Sequence, residues 1–255
     1  MKSHFMKSWR PLSVLLLLFI LWEVLVGLFE IPNWLLPSPS EIISEAALNG
    51  KDIGVHLFST LQLTLSGFLI GTCIGLLTAI ILYLLPKLRE SVYPLLILSQ
   101  NIPTIVLAPL LVIWFGFGVL PKMIVIALVC FFPVTVAALD GFKQTPPELR
   151  HYLAMAGANK GQLFWKLEFP YALPAIFSGI KISGTYSVMG AVISEWLGAQ
   201  EGIGVYMTLA SSSFRTDRVF VAIFTIMILS LLLFAIIQGL ERIIVRWHHQ
   251  GEESQ

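Results

Sequence analysis

The strongest constraint on this chain is a set of six apolar runs long enough to cross a bilayer, joined by short polar stretches. The last is the cleanest: the 22 residues from Val219 to Leu240 carry no charge. A helical crossing needs roughly 17 to 25 largely apolar residues, whereas a water-soluble core breaks such runs every few positions. The chain is 56% hydrophobic and only 12% charged, against roughly 25% charged in soluble domains. The expected fold is all-α, a polytopic membrane protein with six transmembrane helices in one domain over residues 1–255. The spans are expected at about 11–29, 57–85, 92–115, 123–139, 172–197 and 219–240.

Lys2, Lys7 and Arg10, followed by the apolar Leu12–Trp22, imitate a secretion signal. The first alanine is Ala46, so no small-residue cleavage site follows, and the run is expected to remain as the first span. The loops divide the basic residues unevenly. One alternating set of faces holds Lys2, Lys7, Arg10, Lys87, Arg89, Lys143, Arg150, Lys160, Lys166, Arg242 and Arg246; the other holds Lys51, Lys122, Arg215 and Arg218. The richer side is expected to be cytoplasmic, which puts both termini and the 143–170 loop there.

A net charge of +1 without a basic cluster argues against nucleic acid or another polyanion as partner, leaving membrane lipid as the surroundings. Cys73 and Cys130 lie inside apolar runs without CxxC spacing and are expected to be buried, inert thiols, with a disulfide or metal site as the alternative. No catalytic, cofactor or metal pattern stands out. In particular there is no G-x-x-x-x-G-K-[ST] phosphate loop, since Gly50-Lys51 is followed by Asp52.

Gly67, Gly71 and Gly75 recur every four residues and form a smooth face on the second span, suited to close helix packing, with a substrate groove as the alternative. The third span is interrupted by Asn101-Ile102-Pro103 and again by Pro109. Such a break gives either a plain kink or a backbone segment lining a translocation path, because exposed backbone at that depth must be covered by protein or water.

The polar segment from Lys143 to Pro170 is too patterned for a simple turn. Pro146-Pro147 blocks extension of the fourth helix, and Glu148 sits where an acid suits a helix N-terminus. Leu149, Tyr152, Leu153 and Ala156 then recur at helical steps until Gly157 ends the helix. A second short helix is expected from Lys160 to Glu168, with Leu163, Phe164 and Leu167 on one face. Pro170 is expected to end it and turn the chain into the fifth span. Two short helices joined at a glycine make a rigid knob.

This knob resembles the EAA loop of ABC-importer permeases, whose pattern is Glu-Ala-Ala, three residues, Gly, nine residues, an aliphatic, any residue and Leu-Pro. With the glycine at Gly157, the aliphatic falls at Leu167 and the final pair at Phe169-Pro170. The Glu-Ala-Ala positions fall at His151, Tyr152 and Leu153, a departure that touches the usual acidic contact, for which Glu148 or His151 could substitute. Other pieces in order are similar to the family. They are Leu36-Pro37-Ser38-Pro39, Pro109-Leu110 through Trp114-Phe115-Gly116-Phe117-Gly118, Glu195-Trp196-Leu197-Gly198 with Gly202-Ile203-Gly204, and Phe214-Arg215-Thr216-Asp217. Together they look like the branch importing nitrate, taurine, alkanesulfonates and thiamine-precursor pyrimidines.

The resemblance implies a permease subunit in a bacterial inner membrane, working as a dimer with a second copy. Cytoplasmic ATP-binding subunits and an extracytoplasmic solute-binding protein complete such importers. It implies an ATPase-coupling surface at Glu148, Arg150, His151, Tyr152, Leu153, Gly157, Ala158, Leu163, Leu167, Phe169 and Pro170. Asn101, Pro103, Pro109, Glu195 and Trp196 are candidates for the translocation path or gate. The run Thr185–Ile193 leading into Glu195-Trp196 looks most like permeases for formylaminopyrimidine or hydroxymethylpyrimidine, with sulfonate, taurine, nitrate or riboflavin as alternatives.

Glu195 is expected near the outer end of the fifth span, either as an interfacial carboxylate reaching headgroup water or as part of a gate. Lys181 is expected to snorkel toward the cytoplasmic surface, with interhelical pairing as the alternative. Glu23 is a costly acid within the first span, and neither it nor Lys181 has an evident partner. His56, His248 and His249 lie at span edges or in the tail and suggest nothing specific. A membrane-embedded hydrolase lacks its nucleophile and base here, and a secondary transporter lacks inverted repeats and several intramembrane acids.

Overall fold

Backbone groups at membrane depth find partners only within their own helix, and the apolar runs fold accordingly. The computed structural model describes residues 2–245, with side chains from Trp9 onward. Arg246, Trp247, His248 and His249 lie outside the described residues, as do the side chains of Lys2 and Lys7. The helices are α1 (Lys2–Leu28), α2 (Pro39–Leu48), α3 (Gly50–Leu84), α4 (Pro86–Ser99), α5 (Thr104–Phe115), α6 (Val119–Lys143), α7 (Pro147–Met155), α8 (Lys160–Leu163), α9 (Phe169–Glu195), α10 (Ile203–Ser212) and α11 (Thr216–Ile244). No strand occurs among the described residues.

Helix α6 is the centre, with α3 and α9 packed along its length. The glycine face of α3 makes this possible. A methyl group on Gly71 would come within 2.5 Å of the Ala127 carbonyl oxygen, and one on Gly75 within 2.8 Å of the Phe131 oxygen. Gly179 of α9 does the same on the other side, where a methyl would meet the Pro133 oxygen at 2.8 Å. Lipid supplies no hydrophobic force between helices, so close backbone approach and dispersion hold these seams together. Polar bonds reinforce them: Thr135 Oγ1 donates to the Gly75 oxygen at 3.1 Å, and Ser183 Oγ to the Cys130 oxygen at 2.8 Å.

Cys130 is buried as expected, but Cys73 is exposed. The reason is rotation about α3: turning Gly71 and Gly75 onto α6 sends the residue between them to the opposite side.

Helix α1 lies at the periphery, where nearly all its side chains from Leu12 to Leu25 are exposed for contact with lipid. It meets the rest through Phe19 and Trp22, which pack on Phe224 and Phe220 of α11. Glu23 has a partner after all. Its carboxylate accepts from the Ser40 N–H at 3.0 Å and Ser40 Oγ at 2.7 Å, so it satisfies an orphan donor in the first turn of α2. Ser38 and Glu41 complete that helix start as a reciprocal capping box.

The third apolar run is sharply bent rather than straight. Helices α4 and α5 meet at 98° across the Gln100–Pro103 break. Pro103 has no N–H to donate and holds extended backbone, while Asn101 Nδ2 donates to the Ile97 oxygen at 3.1 Å and occupies an end carbonyl of α4. Pro109 breaks nothing and sits inside α5.

Pro170 does not end a helix either. A π turn over Phe164–Glu168 joins α8 to α9, and Lys160–Glu195 runs as a single 36-residue helical stretch. Within the π turn the Phe169 N–H donates to the Phe164 oxygen, and the wider turn relieves the carbonyl clash that a proline ring makes in a regular helix.

Lys181 does not snorkel. Its ammonium lies 2.7 Å from Glu241 Oε2 of α11, with both side chains mostly buried. Helices α2 and α10 were not expected from the apolar pattern, because at 10 residues each they are too short to register as spans.

Candidate functional site

The knob begins where Pro146 and Pro147 stop α6 from continuing and start α7, with Glu148 in its first turn. Gly157 ends α7 at φ +86°, a left-handed conformation that favours glycine. The N–H of Gly157 donates to the Ala154 oxygen and that of Ala158 to the Leu153 oxygen, both at 3.0 Å. This is a complete Schellman cap. The chain re-enters helix at once, because Asn159 and Gln162 cap α8 reciprocally at 2.9 and 2.8 Å.

Arg150 ties the knob to the helices behind it. Its Nε lies 2.9 Å from Glu168 Oε1, and its Nη2 donates to the Tyr83 hydroxyl at 2.8 Å and the Phe142 oxygen at 2.9 Å. Phe164, 1% exposed, is buried beside Tyr83 and Phe142, with ring centroids 5.9 and 5.4 Å away. One side of the knob is thus anchored while the other is bare. Tyr152 is 68% exposed, Met155 82% and Trp165 59%.

Glu148, His151, Tyr152 and Gly157 are all on the exposed side, whereas Leu153, Ala158, Leu163, Leu167, Phe169 and Pro170 are half-buried. His151 Nδ1 pairs with the Pro147 oxygen at 2.8 Å. Sequence reasoning named Arg150 but missed Glu168 and Tyr83, which lie 18 and 67 positions away along the chain and give no local signal.

The α4–α5 break borders a cavity of about 570 Å³ lined by Gln100, Thr104, Phe132, Tyr186 and Met189 among others. Pro103 is part of its wall; Asn101 and Pro109 are not. The wall is mostly aromatic and aliphatic, with Gln100, Thr104 and Tyr186 as its hydrogen-bonding groups.

Glu195 is elsewhere and does not reach headgroup water: it is 2% exposed. Its two oxygens accept from Thr60 Oγ1 and from the Gly204 N–H, both at 2.7 Å. Thr60 Oγ1 in turn accepts from the Ile203 N–H at 2.8 Å, and His56 Nδ1 from the Gly202 N–H at 3.0 Å. His56 therefore has a specific role, against expectation. Gly202 has φ +129°, and any side chain there would overlap the Glu195 carboxyl. Trp196 is 41% exposed and outside this network. Glu195 also borders a separate polar cavity of about 190 Å³ with Gln62, Lys122 and Glu201.

A bundle of membrane-length helices built on a three-helix centre, with an anchored knob at one end, is the architecture of a polytopic helical membrane protein. The chain belongs to the family of binding-protein-dependent transport system inner membrane components, whose family model matches residues 71–246. It is the permease subunit of an ABC importer of the bacterial plasma membrane, a transport subunit and not an enzyme.

Among its relatives, the formylaminopyrimidine transport permease protein ThiX of Halalkalibacterium halodurans is 36% identical over 239 residues, covering 93% of this chain and 95% of that one. The riboflavin transport system permease protein RibX of Chloroflexus aurantiacus is 33% identical, covering 94% and 91%. A solved inward-facing structure of the MetNI methionine ABC transporter shares the fold, with a TM-score of 0.60 at 20% identity, over 75% of this chain and 93% of that one.

Proposed function

We propose that this permease imports a thiamine-precursor pyrimidine, formylaminopyrimidine or hydroxymethylpyrimidine, and that the α7–α8 knob is its handle for a separate ATP-driven motor. The observation carrying the motor reading is the two-sided knob. Arg150 and Phe164 fix it rigidly to the bundle, while Tyr152, Met155 and Trp165 leave an apolar surface for a partner. Exposed apolar groups at a capped, rigid end fit docking into a cleft of a cytoplasmic ATP-binding subunit. The excess of Lys and Arg on the knob's side supports a cytoplasmic placement, together with both termini.

A second copy of the chain completes the pathway, and a solute-binding protein delivers cargo to the opposite end. Nucleotide-driven closure of the ATP-binding subunits displaces the knob and switches the bundle between two packed arrangements.

The substrate reading rests on likeness to ThiX over nearly the full chain and on the cavity at the α4–α5 break. Phe132 and Tyr186 supply aromatic lining, and Gln100 and Thr104 hydrogen-bonding side chains, the residue types that suit a heteroaromatic ring. Riboflavin is the second reading, favoured by the relative RibX. Calorimetry of the cognate solute-binding protein separates them, using formylaminopyrimidine, hydroxymethylpyrimidine, riboflavin and taurine. Tight binding of a pyrimidine and no other ligand is expected; tight binding of taurine or riboflavin alone replaces the proposal.

A further inference from the structure

Ten-residue α10 cannot cross a membrane, yet its first turn is held by side chains from two other helices. Gly202, Ile203 and Gly204 present three N–H groups that have no partner within α10 itself, as at any helix start. Each is taken by a side chain from another element: His56 and Thr60 of α3, and Glu195 at the last position of α9. The Glu195 carboxyl makes this possible only because both flanking residues are glycine. A side chain on Gly202 would overlap it, and a methyl on Gly204 would come within 2.6 Å of the Val192 oxygen. The pieces Glu195 and Gly202-Ile203-Gly204 are therefore one device, a pin and its socket.

The pin stands at the far end of an unbroken rod. Lys160–Glu195 is a single helical stretch of 36 residues, on the order of 50 Å long at 1.5 Å per residue. Its first residues belong to the knob and its last is Glu195. We infer that Glu195 is a positioning residue that makes α3, α9 and the start of α10 one mechanical body, so that displacement of the knob moves α10 at the opposite end of the bundle. This rests on the motor reading above and extends it to a specific transmitting group. The pin is shared: losing the Thr60 hydroxyl removes its bonds to Glu195 and from Ile203, and losing the Glu195 carboxyl removes those from Thr60 and Gly204.

The test uses the full importer, assembled with its ATP-binding and solute-binding partners in proteoliposomes. Ser211 lies in α10 and is exposed; the rate at which Ser211→Cys reacts with a water-soluble maleimide, in a Cys73→Ala background, reports on α10. Trapping ATP with vanadate is expected to change that rate in the otherwise unaltered chain. In Glu195→Ala and Thr60→Val the change is lost, ATP hydrolysis persists, and solute accumulated per ATP falls about ten-fold, the scale of one to two lost hydrogen bonds. Thr60→Ser, which keeps the hydroxyl, restores both.

Should Glu195→Ala fail to assemble, Thr60→Val, which keeps the Glu195 carboxyl and its bond from Gly204, carries the test, and the same loss is expected. A normal labelling switch and normal coupling in these variants overturns the pin. So does an Ser211→Cys rate that never responds to ATP in the parent chain. Protection of Met155→Cys by the ATP-binding subunit tests the knob separately. If Met155→Cys stays unprotected, the motor reading fails and takes this inference with it; if it is protected while α10 switches normally in Glu195→Ala, the pin alone fails.

Discussion

Lys181 of α9 and Glu241 of α11 form an ion pair at 2.7 Å, each side chain less than one-fifth exposed. Two charges at that depth are tolerated because each neutralises the other, and the pair fixes the register of α11 on α9. Removing one partner leaves the other stranded. Lys181→Met is expected to destabilise the protein by about 2–4 kcal/mol, somewhat below the range for fully buried pairs. Lys181→Met with Glu241→Leu recovers most of the loss. Thermal unfolding of the four members of that cycle in detergent checks both statements.

The α3–α6 seam allows no side chain at its closest point. Gly71→Val places a branched group where even a methyl would sit 2.5 Å from the Ala127 oxygen. Overpacking of this kind costs about 1–3 kcal/mol when neighbours can shift and more against backbone. A lower midpoint of unfolding and reduced monodisperse yield are expected, with Gly54→Ala, which meets nothing within 4 Å, as the neutral control.

Gly157→Pro attacks the knob without touching the membrane helices. Proline cannot adopt φ +86° and removes the N–H donated to the Ala154 oxygen. Membrane insertion is expected to remain intact, while ATP hydrolysis by the assembled importer proceeds without solute uptake. Undiminished uptake in proteoliposomes counts against the knob as a handle.

Arg150 is the knob's tether, so Arg150→Ala leaves Glu168 without its cation and the Phe142 oxygen without a donor. Uptake is expected to fall about ten-fold with protein levels unchanged, whereas Tyr83→Phe removes one hydrogen bond and costs only about 0.5–1.5 kcal/mol. Transport assays on the two variants, normalised to protein in the membrane, establish the order.

Tyr186→Ala opens one wall of the cavity at the α4–α5 break. Loss of an aromatic face is expected to lower pyrimidine uptake several-fold, on the order of 1 kcal/mol, without changing ATP hydrolysis at rest. An unaltered uptake rate at limiting solute removes Tyr186 from the path.

Where the physics is local, the residues announce it. Lipid tests each residue's polarity by itself, so the apolar runs could be read directly, as could the glycine face at residues 67, 71 and 75 and the cap at Gly157. A helix end or a smooth face needs only neighbours a turn away. Tertiary structure alone decided the rest. The 98° turn after Gln100, the continuous helix through Pro170, and the partners of Glu23, Lys181 and Glu195 depend on side chains far along the chain. Thr60 and Glu195 are 135 positions apart, and no pattern within one helix reveals that a buried carboxyl will find its donors on another. A charge inside a membrane states that it must be satisfied; which group satisfies it is settled by how the helices pack.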